Sequence, residues 1–88
     1  MIFLFHDDEA KSVSLAGDFN GWDRTNMPLS KDEHGLWQIE IAPLPPGLYQ
    51  YKFIIEGGFD GERWVEDPSN GMKAPDNRGG LNSVLVIG

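Results

Sequence analysis

The chain has 88 residues, enough for one domain with a modest core but not for a core plus an elaborate buried active site. Fourteen acids against seven bases give a formal net charge of −7 with no cationic cluster, which argues against nucleic acid and membrane surfaces as partners. The absence of cysteine excludes disulfides, thiol chemistry and zinc–thiolate sites, and leaves a reducing, cytoplasmic setting as the expectation.

In chain order, "IFLF" (2–5) opens a strand that runs into an acidic turn at 7–9. It has no basic region before it and is too short to span a bilayer, so it reads as a strand rather than a signal peptide. "SVSLA" (12–16) alternates, with Val13 and Leu15 on one face. "AGDFNGWDRT" (16–25) is a turn by its Asp18, Asn20, Gly21 and Asp23, yet it contains Trp22. "LWQIEI" (36–41) places Trp37, Ile39 and Ile41 on one face and Leu36, Gln38 and Glu40 on the other. "PLPPG" (43–47) cannot continue a ladder and must turn. "LYQYKFII" (48–55) sends Tyr49, Tyr51, Phe53 and Ile55 inward and Gln50, Lys52 and Ile54 outward. "EGGFDG" turns again, "RWVE" (63–66) is a short strand, and "NSVLVI" (82–87) closes the domain. The segment 67–80 reads as the longest strandless stretch, a length that in compact domains marks functional or mobile loops. Six to eight short strands with no helical period predict an all-β, single-domain antiparallel sandwich over residues 1–88.

Alternation also sorts the three tryptophans. Trp37 shares its face with Ile39 and Ile41 and is expected in the core, together with Tyr49, Tyr51, Phe53 and Val65. Trp64 lies between Arg63 and Val65 with Glu66 as its period-2 partner, so it falls on the polar side, and Trp22 sits in a turn. Each of these two has two open readings. One is a lid folded over the sandwich edge, its indole N–H on a carbonyl. The other is a ligand contact, and a pair of outward indoles with Lys52 nearby suits a broad, neutral, hydroxyl-rich ligand.

"VSLAGDFNGWD" (13–23), "GLWQIEI" (35–41), "PPGLYQYKFIIEG" (45–57), "RWVEDP" (63–68) and "GGLNSVLVI" (79–87), in this order, resemble carbohydrate-binding module family 48. That family includes the glycogen-binding domain of the AMP-activated protein kinase beta subunit and early-set domains of glycoside hydrolase family 13 enzymes. The resemblance implies an immunoglobulin-like early-set sandwich that binds α-1,4-linked glucans such as glycogen, starch or maltooligosaccharides. It implies as partners an α-glucan and a glucan-processing enzyme or kinase, with neither nucleic acid nor membrane among them. The family's stacking tryptophans fall on Trp22 and Trp64, its hydroxyl-donating lysine on Lys52 and its asparagine on Asn82. Where kinase-type members carry an apolar finger and a hydroxyl residue, this chain has Arg78 and Gly80, and Arg78 is a candidate donor to sugar hydroxyls. The turn before Trp64 is a few residues longer than in the family pattern.

Enzymatic readings find little support. His6 and His34 stand alone and are expected in solvent. "DFNGWD" has the look of a calcium loop, but Leu29 stands where the bidentate glutamate belongs. Asp60/Glu62 and Glu66/Asp67 sit beside turn residues and are expected to be solvated rather than paired across a cleft for glycoside hydrolysis. The sequence calls for no catalytic residue, metal or cofactor. Two functions follow: a non-catalytic glucan-binding module using Trp22, Lys52, Trp64, Arg78 and Asn82, or a structural domain that packs on a partner enzyme and has lost sugar binding.

Overall fold

Period-2 burial is visible strand by strand in the computed structural model, which describes residues 1–57 and 61–88. In β1 (Ile2–His6) Phe3 and Phe5 are buried while Ile2, Leu4 and His6 are exposed. In β2 (Ser12–Gly17) Val13 and Leu15 point inward. Strands β3 (Ser30–Lys31) and β4 (Leu36–Glu40) follow, and Trp37 of β4 is buried. Then come β5 (Gly47–Glu56), β6 (Arg63–Val65), β7 (Lys73–Pro75) and β8 (Leu81–Ile87). Every pairing among them is antiparallel.

Two sheets result, β1-β4-β3 and a five-stranded sheet built on β5. β5 pairs with β2 through residues 51–56 on one edge. Its first half pairs with β8 and its second half with β6, so these two strands follow each other along the opposite edge. β7 pairs on β8 at the outer edge, where Pro75 can be accommodated. The core between the sheets contains Phe3, Phe5, Val13, Leu15, Leu29, Trp37, Tyr51, Phe53 and Ile55. Tyr51 meets Phe3 and Phe53 edge-on at centroid distances of 5.2 and 6.0 Å, the geometry that the aromatic quadrupole favours. No helix among the described residues is long and apolar enough to cross a membrane.

The all-β sandwich is the expected one, with four local differences. The segment 67–80 is not strandless, because Lys73–Pro75 forms β7; a three-residue edge strand with a proline leaves no periodic signal. Tyr49 and Val65 are half-buried rather than fully buried. Tyr49 lies towards the sandwich end, where its hydroxyl donates to the Pro45 carbonyl at 2.6 Å, and Val65 sits on the short strand β6. Ile54 faces away from the main core yet is 2% exposed, because Trp64 stands directly across from it on β6. Asp67, expected in solvent, is buried. It accepts the Tyr51 hydroxyl at 2.7 Å, and its backbone N–H bonds Ser83 Oγ at 2.8 Å, which joins the turn after β6 to β5 and β8. Burial pushes the Tyr51 phenol well above its ordinary pKa, so it remains the donor. His6 and His34 are exposed as expected; Asp60 lies outside the described residues.

Two stability outcomes follow. Trp37→Ala removes an indole from the core and should cost ~3–5 kcal/mol. That loss is near the whole stability of a small domain, so circular dichroism melting should show a largely unfolded variant at room temperature. Tyr51→Phe leaves a buried carboxylate oxygen of Asp67 without its donor and should cost about 1–3 kcal/mol in chemical denaturation, with the fold retained.

Candidate functional site

The turn after β2 is built to hold a large side chain at the surface. Gly17 ends β2 where a Cβ would lie 2.6 Å from the Gln50 carbonyl oxygen, so only glycine lets β2 run this close to β5. A 3₁₀ turn follows over Asp18–Asn20, and Gly21 exits it at φ 65°. Asn20 ties the turn together: its Oδ1 accepts the Gly17 N–H at 3.0 Å and its amide donates to the Leu15 carbonyl and to Asn26 Oδ1. Trp22 then takes φ 59°, a left-handed conformation that a bulky residue rarely adopts. Its backbone N–H bonds the Gly17 carbonyl at 2.9 Å and its Nε1–H bonds Asp18 Oδ1 at 3.0 Å. Trp22 is half-buried rather than substantially exposed, since the turn folds it back toward β5.

Trp64 is 41% exposed on the outward face of β6. Its Nε1–H donates to Glu62 Oε1 at 2.9 Å, and the other Glu62 oxygen meets Arg24, which also bonds Glu56 at 2.9 Å. Both indole N–H groups are therefore occupied within the protein, and what each tryptophan offers a ligand is its ring surface.

Between them lies a cleft of about 460 Å³ lined by Asp18, Trp22, Gln50, Lys52, Trp64, Pro75, Asp76, Asn77, Arg78 and Asn82. Lys52 comes from the outward register of β5, Asn82 from β8, and Arg78 from the turn between β7 and β8. The Lys52 ammonium bonds Asp76 Oδ2 at 2.7 Å, and one such bond leaves further N–H donors on the same nitrogen. Asp76 Oδ1 accepts the backbone N–H of Arg78 at 2.8 Å and of Gly80 at 2.9 Å, which closes the turn. The Lys52 bond, then the Arg78 and Gly80 N–H groups, hold the Asp76 carboxyl at a pKa of about 2. A group ionised that far down cannot act as a general acid near neutrality. Asn82 is buried, and its Nδ2 donates to Gln50 Oε1 at 2.9 Å. No group of three or more His, Asp or Glu side chains suited to a metal ion occurs among the described residues.

All five residues singled out from the sequence, Trp22, Lys52, Trp64, Arg78 and Asn82, line this one cleft. Sequence reasoning missed Asp18, Gln50 and Asp76. The outward phase of Gln50 on β5 could have signalled it, whereas Asp18 reads as a turn former, Asp76 falls in the segment 67–80 read as strandless, and nothing in the sequence separates either from a place in the cleft wall.

The family model of carbohydrate-binding module 48 (isoamylase N-terminal domain) matches residues 1–69. The chain is 31% identical over 77 residues to the 5′-AMP-activated protein kinase subunit beta-1 of Sus scrofa, covering 88% of this chain and 55% of that one. To the human beta-2 subunit it is 41% identical over the same length, covering 25% of that protein. It is also 42% identical over 55 residues to the 1,4-alpha-glucan branching enzyme of Vibrio cholerae, covering 62% of this chain and 7% of the enzyme. The chain thus spans about half or less of the length of these relatives. With the two-sheet sandwich, the chain belongs to carbohydrate-binding module family 48.

Proposed function

We propose that this domain binds α-1,4-linked glucans without catalysing a reaction on them. Trp22 and Trp64 serve as stacking platforms, and Lys52, Arg78 and Asn82 bond hydroxyls. One observation carries the reading: five side chains, from the turn after β2, from β5, β6 and β8 and from the turn between β7 and β8, converge on a single cleft. A glucose ring has an apolar C–H face that packs on indole and an equatorial rim of hydroxyls that takes N–H donors. The cleft contains two cations and two carboxylates, Lys52 and Arg78 against Asp18 and Asp76, so it has no net charge to favour an anion. The relatives' names, a kinase subunit and a 1,4-alpha-glucan branching enzyme, support a setting in which the domain brings an enzyme to an α-glucan.

The magnitude follows from the parts. Each stacked ring contributes ~0.5–1.5 kcal/mol beyond its buried area, borrowing the value for aromatic pairs. Each solvent-facing hydrogen bond contributes about 0.5–1.5 kcal/mol. After the cost of association, the dissociation constant for maltoheptaose should lie between roughly 10 μM and a few mM. Binding should be tighter on a polymer through multivalency.

Trp22→Ala and Trp64→Ala should each reduce retention on glycogen by at least about threefold, the loss of one stacked ring. Both platforms stand outside the main core, so the melting temperature should shift far less than in Trp37→Ala. If calorimetry with maltoheptaose and glycogen pull-down of the folded parent both show nothing, the reading fails and a partner-packing domain takes its place.

The site should also be insensitive to pH over the neutral range. The folded pKa of Asp76, about 2, is below its ordinary value of 3.8. Its contribution to stability is therefore complete above pH 5 and is lost as pH falls through 4 towards 2. Thermal melts from pH 2 to 8 should show Asp76→Asn less stable than the parent at neutrality, the two curves converging near pH 2. Maltoheptaose affinity of the parent should be flat between pH 5 and 8.

A further inference from the structure

Asp18 stands in the cleft wall with both carboxylate oxygens already engaged. Oδ1 accepts the Trp22 indole N–H at 3.0 Å and Oδ2 accepts the backbone N–H of Gln50 at 2.8 Å. Gln50 lies on β5 two residues before Lys52, and its side-chain Oε1 holds Asn82 Nδ2. One carboxylate therefore ties the Trp22 ring to the strand that carries the lysine and, through Gln50, to the asparagine. Trp22 needs such a tie. It follows a glycine at φ 65° and itself sits at φ 59°, a region where a large side chain gains nothing from its own backbone preference. The main core does not include it.

We propose that Asp18 is a positioning residue for glucan binding: it fixes the plane of Trp22 and the distance of that platform from Lys52 and Asn82, so that a sugar ring meets a preformed surface. This rests on the glucan-binding reading above. The physical gain is entropic, because an indole already held in place loses no rotamer freedom when the ligand arrives. Asparagine is the informative replacement. It has the same shape but one oxygen and one NH₂ group, and both partners of Asp18 are donors, so one of the two bonds must fail. Serine at this position is a second variant, too short to span both partners.

The test combines binding with the indole N–H signals of the three tryptophans in ¹H–¹⁵N spectra. The Trp22 signal is identified by its loss in Trp22→Phe. Trp37 and Trp64 serve as internal references, since their N–H groups bond the Asp7 carbonyl at 3.0 Å and Glu62 at 2.9 Å. In Asp18→Asn or Asp18→Ser the Trp22 signal should move and exchange faster with solvent while the other two stay in place. Maltoheptaose affinity should fall roughly two- to tenfold, the range expected for freeing one side chain. An unmoved Trp22 signal, or parental affinity in both variants, overturns the proposal. So does a joint shift of all three signals, which would make Asp18 a support of the whole fold. A parent that binds no maltoheptaose overturns the site reading itself, and the positioning role with it.

Discussion

Ten consecutive residues of β5 hydrogen-bond to three other strands, to β2 on one edge and to β8 and β6 in succession on the other. Because side chains alternate along a strand, that register assigns Tyr51, Phe53 and Ile55 to the core and Gln50 and Lys52 to the cleft. A slip of one residue would put an ammonium group among Phe3, Phe5 and Trp37 and expose three large apolar side chains. Burial of the aromatic face therefore also fixes where the candidate ligand donors stand. Fold stability and site geometry are two faces of the same ladder.

The acidic composition serves local geometry more than a charged partner. Asp7 Oδ1 accepts the N–H groups of Glu9 and Ala10, Asp32 Oδ1 those of His34 and Leu36, and Asp76 Oδ1 those of Arg78 and Gly80. These Asx-type bonds close turns that would otherwise depend on glycine alone. Asp67 is the buried case, a carboxylate kept inside by the Tyr51 hydroxyl, Ser69 and the turn it caps. Asp18, Glu62 and Asp76 apply the same chemistry to side chains, each holding one cleft-lining group, Trp22, Trp64 and Lys52 in turn. A protein of net charge −7 can thus present a cleft with no net charge of its own.

The tryptophans mark the boundary between what pattern and packing decide. Trp37 is buried because its strand faces another sheet, and its N–H finds the Asp7 carbonyl. Trp64, one residue out of phase with the inward Val65, faces the cleft and shields Ile54 on the outer side of the same sheet. The outer face of β5 therefore contains a buried apolar side chain in addition to those of the main core. A period-2 argument assigns Ile54 a side but does not say whether that side is covered.

Much of this protein is legible in the order of its residues. Alternation placed Trp37, Tyr51 and Phe53 inside and Lys52 and Trp64 outside, since successive side chains of a strand point to opposite faces of its sheet. The glycines, prolines and aspartates of the turns delimited the main strands for reasons equally local. What lies beyond local chemistry had to come from the folded chain. The three-residue strand β7 exists only because β8 is beside it. Asp67 is buried where Tyr51 and Ser83, each sixteen residues away, bond its carboxylate and its backbone N–H. Asp18, Gln50 and Asp76 line the cleft through bonds spanning 24 to 32 residues, to Lys52, to the Gln50 backbone and to Asn82. Hydrogen bonds of that span depend on which strands pair within the five-stranded sheet, and no short window of sequence contains both partners.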